Sequence, residues 1–276
     1  MQLNKASRKM AKIKMCLKGP SGSGKTYSSL LLAFGLCGDY TKIAIIDTEH
    51  HSADLYSSLG PYNVLQLSQY SPENYIEAIK YCESQGMEVI IIDSITNEWL
   101  NILEIHASNI GNSFTKWQGL SVRHNQFVKA MLESKAHIIA TTRTKQEYVL
   151  NERNGKIIPE KVGLKAIQRN GLEYDFTLVF DLNMKNHATA SKDRTGLFSQ
   201  AAEITLSVDI GKTIFNWCNS GADISADDVT KRINASKSVG ELLEVYKQFP
   251  AYKEILKKEY EERKRHILIQ NNIVEV

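Results

Sequence analysis

The sequence predicts an α/β fold, with a mainly parallel central sheet flanked by helices and a small helical appendage at the C-terminus. The first observation behind this prediction is a strand, a glycine-rich turn and a helix start within residues 13–36. The second is a set of short, continuous apolar runs such as residues 88–93, which are typical of strands covered on both faces, as in parallel sheets. The third is a pair of capping-box patterns beyond residue 220, which predict short helices.

The predicted elements follow the chain in order. Apolar runs predict strands over residues 13–17, 42–46, 64–67, 88–93, 137–140 and 176–182, with 187–192 pairing as a hairpin and 204–208 as a weak final strand. Helices are predicted over residues 26–36, 98–108 and 117–135, and a further helix begins at Pro72 behind Ser71 as its N-cap. Residues 143–165 lack periodicity and predict a long loop, which in a compact domain is usually functional or mobile.

Three regions are predicted from these elements: a basic segment over residues 1–12, a core over residues 13–215 and a helical region over residues 221–276. The chain has 276 residues, 42% of them hydrophobic and 24% charged, which is an ordinary globular composition. No apolar run approaches the roughly 18 residues of a membrane span, so we expect no membrane partner and a cytoplasmic location. The four cysteines lack the spacing of a zinc site or a disulfide framework.

Residues 19–26 read Gly-Pro-Ser-Gly-Ser-Gly-Lys-Thr, which is the spacing of a phosphate-binding P-loop between a strand and a helix. The glycines of such a turn let backbone N–H groups point inward and form an anion cradle at the positive end of the helix. We expect Lys25 to reach the β- and γ-phosphates of ATP, and Thr26 to offer its hydroxyl to Mg²⁺. The residues predicted to bind the nucleotide are Gly19, Pro20, Ser21, Gly22, Ser23, Gly24, Lys25, Thr26 and Tyr27.

Polar side chains at the ends of other predicted strands complete this site. Asp93 ends an aliphatic strand, where a carboxylate beside the P-loop binds Mg²⁺ directly or through water. Glu49 lies just past another strand, and we expect it to orient or deprotonate the water that attacks the γ-phosphate. Many P-loop ATPases carry this glutamate directly after the strand-ending aspartate, but here that position is Ser94. Thr141 is expected to touch the γ-phosphate or the water, the alternative being an ordinary strand threonine.

The order of these motifs resembles the RecA-like recombinase core, and within it the compact phage-encoded ATPases that assist single-strand annealing. The resemblance covers residues 10–210, and its more specific motifs are Asp-Thr-Glu-His at 47–50, Ile-Gly-Asn-Ser at 110–113, Thr-Thr-Arg-Thr-Lys at 141–145 and Lys-Asp-Arg at 192–194. It implies a RecA-like P-loop NTPase fold, with DNA-binding loops over residues 110–116 and 143–165. It also implies that Lys192 and Arg194 act in trans on the γ-phosphate of a neighbouring subunit. The family's sensor position usually carries Gln, whereas the matching residue here is Thr141.

The distribution of charge agrees with a nucleic-acid partner. Net charge is only +3, but residues 1–18 hold six basic residues and no acid, and residues 143–165 hold six basic and three acidic residues. Cations in the second patch can meet phosphates and its aromatic ring can stack on bases, although each patch taken alone can equally be a solvated face. The predicted DNA contacts are Arg143, Lys145, Tyr148, Arg153, Lys156, Lys161 and Lys165.

Together, the motifs and the resemblance predict an ATP-dependent, single-stranded DNA-binding protein of recombination, annealing or repair. It would hydrolyse ATP between the subunits of a homo-oligomeric ring or filament, in the cytoplasm of a bacterial host, with a single-strand DNA-binding protein as a further partner. A P-loop ATPase that regulates or loads a protein partner in phage replication or packaging is the alternative, in which residues 143–165 contact protein. A small-molecule kinase is disfavoured, because the sequence contains no obvious lid or acceptor site.

Overall fold

The computed structural model of the chain describes residues 11–108, 113–153, 156–199, 201–220, 226–249 and 252–270, and for residues 146–153 and 156–164 it describes the backbone. Contacts divide the chain into two compact units, Met10–Ser220 and a smaller unit that contains Gly221–Val276. The larger unit holds a central sheet with helices, and the described part of the smaller unit is helical.

Eight strands form the sheet in the described part of the larger unit. They are β1 (Lys14–Gly19), β2 (Ile43–Asp47), β3 (Asn63–Gln66), β4 (Val89–Asp93), β5 (His137–Arg153), β6 (Lys156–Ala166), β7 (Leu178–Leu182) and β8 (Ala188–Asp193). Their order is β3-β2-β4-β5-β1-β7-β8, and β6 pairs with β5 outside that row. The pairings are parallel except those of β7 with β8 and of β5 with β6. The prediction of a mainly parallel sheet is therefore confirmed.

Helices cover both faces of this sheet, as predicted. They are α1 (Lys25–Cys37), α2 (Pro72–Ser84), α3 (Thr96–Ser108), α4 (Ser113–Glu133) and α5 (Val208–Asn219). Helices α1 and α5 cover one face, in a core that includes Leu30 and Ile214. Helices α2 and α4 cover the other face through Tyr75 and Phe127, whose ring centroids are 5.1 Å apart. Because both faces are covered, the strands read as continuous apolar runs rather than as alternating ones.

Local sequence explains where α2 begins. Ser71 has an extended backbone at the N-cap, and its hydroxyl accepts a hydrogen bond from the Asn74 N–H at 3.3 Å. Pro72 follows in the first turn, where its missing N–H leaves no helical hydrogen bond unmade. The predicted start of this helix is confirmed.

Two glycines let α1 and α5 approach closely. A Cβ added at Gly35 would lie 2.2 Å from the carbonyl oxygen of Val208 and 2.6 Å from the Cα of Gly211. A Cβ added at Gly211 would lie 2.5 Å from the carbonyl oxygen of Leu32. This contact fixes the helix that follows the glycine-rich turn, because neither backbone leaves room for a methyl group.

The predicted loop over residues 143–165 is wrong. Strand β5 continues from the sheet to Arg153 and the chain returns antiparallel as β6, with Arg153 opposite Lys156 and a shift of register between Glu147 and Tyr148. Its apolar residues come in short clusters, at 149–150 and 157–158, and therefore do not give the alternation by which a strand is recognised. We call this ribbon, residues 144–153 with 156–166, the basic hairpin.

The predicted final strand over residues 204–208 is also wrong. Within the described residues, Ile204 forms an isolated antiparallel bridge with Ala188, and α5 begins at Val208. The hydroxyl of Ser207 accepts a hydrogen bond from the Ile210 N–H at 3.4 Å and caps the helix. The predicted pairing of residues 187–192 with the preceding strand is confirmed by β7 and β8.

The described part of the smaller unit has three helices, in agreement with the prediction of short helices; Ser225 of the first capping pattern lies outside the described residues. They are α6 (Ala226–Ala235), α7 (Val239–Gln248) and α8 (Lys257–Gln270). Their small core contains Val229, Ile233, Leu242, Leu256 and Ile267. Ser238 caps α7 by accepting a hydrogen bond from the Glu241 N–H at 3.1 Å. Across the described ranges of both units, no helix combines the length and the apolar character that crossing a bilayer requires.

Candidate functional site

The glycine-rich turn lies at the carboxyl end of β1, an internal strand of the sheet, and parallel α/β sheets bind their ligands just beyond such strand ends. Gly22 and Gly24 have φ angles of 82° and 80°, in the left-handed region that favours glycine. The Lys25 ammonium donates hydrogen bonds to the carbonyls of Gly19 at 3.0 Å and Pro20 at 2.8 Å. Burial lowers the pKa of Lys25. The turn is thus folded around its own lysine, at the N-terminus of α1.

Asp93, at the end of β4, joins two of the predicted side chains. Its Oδ2 accepts a hydrogen bond from the Thr26 hydroxyl at 2.5 Å, and its Oδ1 accepts one from the Thr141 hydroxyl at 2.5 Å. The carboxyl is 2% exposed, and this burial raises its pKa. One carboxylate therefore links the first turn of α1 to the strand β5.

Glu49 is held by two side chains, one directly after β4 and one in the neighbouring strand β5. Its Oε1 accepts a hydrogen bond from the Ser94 hydroxyl at 2.7 Å, and its Oε2 forms an ion pair with the guanidinium of Arg143. The Arg143 side chain is 40% exposed and that of Glu49 is 17% exposed, so the pair faces the opening of the site. Arg143 is predicted to contact DNA, and in the structure its guanidinium pairs with Glu49, the predicted catalytic carboxylate.

A second strand-ending carboxylate, Asp47, holds the loop that carries Glu49. Its Oδ1 accepts a hydrogen bond from the Glu49 N–H at 2.6 Å. Its Oδ2 accepts from the Ala53 N–H at 3.2 Å and from the Gln66 amide at 3.1 Å. These bonds fix the backbone at Glu49, and the contacts of the side chain then aim its carboxylate.

A cavity of about 740 Å³ opens over the glycine-rich turn. Its volume falls in the range of small-molecule sites. Predicted residues that line it are Ser21, Gly22, Gly24, Lys25, Thr26, Tyr27, Glu49, Asp93 and Arg143. Thr141 reaches this group through Asp93, as described above. The structure therefore brings the predicted phosphate, metal and water-activating side chains to one place.

Sequence reasoning missed several residues of this cavity. Tyr56 lines it together with Tyr27, and their ring centroids are 5.7 Å apart, which places aromatic surface beside the turn. Asn186 lines it from the β7–β8 turn, and its Oδ1 would lie 3.0 Å from a Cβ added at Gly24. Ser94 does not line the cavity but holds Glu49, whereas in the sequence it marks only the position that lacks a glutamate. No local motif marks these residues, because the fold brings them in from distant parts of the chain.

Lys192 and Arg194, predicted to act in trans, lie at the end of β8, apart from the residues that line the cavity. The Lys192 ammonium donates to the carbonyls of Glu173, at 3.0 Å, and Tyr174. The Arg194 guanidinium donates to the Tyr174 carbonyl at 3.0 Å. The two cations thus converge on one short segment of their own chain.

Part of the predicted DNA surface can be placed. Lys145 and Lys165 are opposite each other in the basic hairpin. Both line a second cavity, beside Trp99 and Trp117. The side chains of Tyr148, Arg153, Lys156 and Lys161 lie outside the described residues, as do residues 109–112 of the first predicted DNA loop.

The residues present fit a nucleoside triphosphate with Mg²⁺. Ser23 Oγ is buried and, in the described part of the chain, lacks a hydrogen-bond partner, so the turn has an unused hydroxyl. The Thr26 hydroxyl and the Asp93 carboxylate supply the hard oxygen donors that Mg²⁺ prefers. Lys25, beside them, supplies the cation for the outer phosphates.

Comparison with protein families agrees with this geometry. The model of the AAA domain family matches residues 11–215, which include all of the residues that line the cavity. No curated protein matches the chain in sequence. The matched range covers well over half of the 276 residues. The chain therefore belongs to the AAA domain family of P-loop ATPases.

Proposed function

We propose that the protein is an ATP-dependent, single-stranded DNA-binding protein that acts in phage recombination, annealing or repair. The observation that carries this proposal is the course of β5. The strand leaves the nucleotide cavity at Thr141 and Arg143 and continues without a break into the basic hairpin. A single strand thus connects the proposed hydrolytic site to the proposed DNA surface.

Hydrolysis follows from the arrangement of the chain's own side chains. Lys25 and the amides of the turn would hold the phosphates, and Thr26 with Asp93 would hold Mg²⁺, which would neutralise phosphate charge. Glu49 accepts a proton from the attacking water or orients it, the role for which a carboxylate at the mouth of the cavity is suited. Thr141 hydrogen-bonds Asp93 and so links the metal ligand to β5.

The Arg143–Glu49 ion pair offers a way for DNA to control turnover. Paired with Arg143, the Glu49 carboxylate is a weaker acceptor for a water proton, since the cation stabilises its charged form. A DNA phosphate competes for the same guanidinium, because guanidinium groups bind phosphate and carboxylate alike. Binding of a strand to the hairpin would therefore release Glu49 for hydrolysis.

Assembly of subunits completes the proposed reaction. Lys192 and Arg194 lie apart from the cavity of their own chain, at the end of edge strand β8. In a ring or filament they would reach the γ-phosphate held by a neighbour and stabilise the charge that develops on it. Hydrolysis would then depend on oligomerisation.

The test is binding of a fluorescent single-stranded oligonucleotide, with ATP and without it, alongside mass in solution. We expect ATP to raise both the affinity for the strand and the oligomeric mass of the wild type, and Lys25→Ala to lose both effects. Lys42→Ala, at an exposed lysine just before β2, is the matched control and should behave as wild type. Oligonucleotide affinity that is independent of ATP would contradict the proposal. Wild-type DNA affinity after Lys156→Glu with Lys161→Glu would instead favour the protein-loading alternative.

A further inference from the structure

The second cavity, of about 740 Å³, lies beside the base of the basic hairpin. Helix α3, the N-terminal part of α4 and the chain that follows β6 enclose it. All of its described lining residues belong to the unit Met10–Ser220. They are Trp99, Leu100, Leu103, Trp117, Lys145 and residues 165–170. None of them lines the nucleotide cavity, and the proposed hydrolytic reaction uses none of them.

Two indoles form an aromatic wall of this cavity. Trp99 and Trp117 are half-buried, and their rings meet edge to face with centroids 5.8 Å apart. Behind them, the His124 ring lies 5.2 Å from Trp99. The His124 Nδ1 is 3.1 Å from the buried Glu98 carboxylate, which fixes the ring in place. The wall is therefore held by packing from behind and is open toward the cavity.

Three cationic side chains also line the cavity. Lys145, Lys165 and Arg169 are among its described lining residues, and no acid is among them. Gln168 is buried and donates a hydrogen bond to the Ile95 carbonyl at 2.9 Å, which ties this segment to the sheet. The Arg169 guanidinium donates to Asn125 Oδ1 at 2.7 Å, and this contact orients it. The described lining thus combines fixed aromatic surface with three cationic side chains.

We propose that this cavity receives an unstacked base of the bound single strand against Trp99 and Trp117, with the flanking phosphates on Lys145, Lys165 and Arg169. Stacking on aromatic rings with cations along the backbone is how proteins hold single strands without sequence preference. A base supplies the apolar face and a phosphate the negative charge, so one polymer satisfies both parts of the lining. The inference rests on the proposed function and adds the site at which a base of the strand is bound.

The experiment uses the tryptophans as reporters. The chain contains three tryptophans. The third, Trp217, lies in α5 and packs against the core on the α1 and α5 side of the sheet. In a Trp217→Phe background, fluorescence reports Trp99 and Trp117. We expect oligo(dT) to quench it, with a midpoint equal to that of binding measured by anisotropy of a labelled oligo(dT). Replacing Lys145 and Arg169 together by Ala should weaken binding about tenfold. The slope of log affinity against log salt should become shallower by about 1.4, because each of the two lost phosphate contacts contributes about 0.7.

A matched control removes one cation elsewhere on the same unit. Lys129 is 70% exposed on α4 and pairs with Glu133, so Lys129→Ala should leave both the affinity and the quenching as in wild type. The inference would be overturned if oligo(dT) bound without quenching the tryptophans and the double variant kept wild-type affinity and salt slope. The proposed function would then still stand. Absence of any binding would overturn both. If the double variant changed the mass in solution but not the affinity, the cavity would be a contact between copies of this chain, and the inference would be overturned.

Discussion

Strand β5 has two halves with different surroundings. From His137 to Thr142 it lies between β1 and β4, and its side chains are buried. Beyond Arg143 it pairs with β6, away from the parallel row. The first half carries Thr141 to Asp93 of the nucleotide cavity, and the second carries Lys145 to the second cavity. Arg143 stands at the junction and pairs with Glu49.

This difference shows how one strand can serve two sites. The buried half is fixed by neighbours on both sides, so it can hold a side chain such as Thr141 at hydrogen-bond distance from Asp93. The outer half has one neighbouring strand, so ligand contacts have more influence on its position. We therefore expect a change at the outer half to affect the nucleotide site most strongly through Arg143, at the junction.

The largest expected effect is at Glu49. Glu49→Gln keeps the size of the side chain but removes its basicity, and turnover should fall at least about 100-fold, the lower range for general-base catalysis. ATP affinity should change little, because in the proposed site Lys25 and the turn, and not Glu49, bind the phosphates. Rapid-quench hydrolysis and nucleotide titration measure the two quantities separately. Asp54→Asn, at an exposed acid nearby on the same segment, is the control and should keep wild-type turnover.

The next effect is at the junction. Arg143→Ala should bring the ratio of turnover with and without oligonucleotide toward unity, since Glu49 no longer has a cation from which DNA must release it. Steady-state hydrolysis with and without oligo(dT) gives this ratio. Arg123→Ala removes a comparable pair, with Glu73 at 2.7 Å between α4 and α2, and should keep the stimulation. Full stimulation of Arg143→Ala would show that the two halves communicate by another route.

A stability effect is expected at the start of the buried half. Burial lowers the pKa of His137 to about 3, and its Nδ1 accepts a hydrogen bond from the Ile13 N–H at 3.1 Å. Between pH 6.5 and about 3 the unfolded chain binds a proton there that the folded chain does not, so stability is lost as pH falls through this window. The slope from this residue is up to about 1.4 kcal/mol per pH unit.

The variant His137→Gln should reduce that slope, because the amide oxygen can accept the same hydrogen bond and does not titrate. Urea unfolding at a series of pH values measures it. His266→Gln, at an exposed histidine on α8, is the control. An unchanged slope in His137→Gln would mean that other groups account for the acid sensitivity of the fold.

The smallest effect compares two helix glycines. Gly35→Ala places a methyl group against the backbone of α5 and should destabilise the protein by about 1–3 kcal/mol, the usual cost of overpacking. Gly119→Ala, in α4, meets no atom within 4 Å and should stabilise it by up to about 1 kcal/mol through helix propensity. Thermal unfolding of both variants measures this difference. Equal effects of the two substitutions would argue against a close α1–α5 contact.

Much of the fold could be predicted from sequence because its signals are local. The continuous apolar runs identified β1, β2 and β4, and Ser71 with Pro72 identified the start of α2. The basic hairpin was missed although the sequence has Asn-Gly at 154–155, a strong signal for a two-residue hairpin turn, because Pro159 and clustered apolar residues obscured the strands. Helix α5 was missed although Ile210 and Ile214 are helically spaced behind Ser207.

The residues of the candidate site likewise fall into those that local motifs predict and those that only the fold brings together. Lys25, Thr26 and Asp93 could be proposed because each belongs to a short motif or a strand end. The partner of Glu49 could not, because Arg143 is 94 positions away and the ion pair depends on the order of strands in the sheet. Asn186 likewise reaches Gly24 from a turn with no motif of its own.

The most direct test of the link between the two halves of β5 is ATP hydrolysis during titration with single-stranded DNA, at low and at moderate salt. We predict that turnover rises with the strand and saturates at the concentration at which the strand binds, with a smaller rise at higher salt. A rate that stays constant while bound DNA increases would contradict the proposal that the strand controls the nucleotide site.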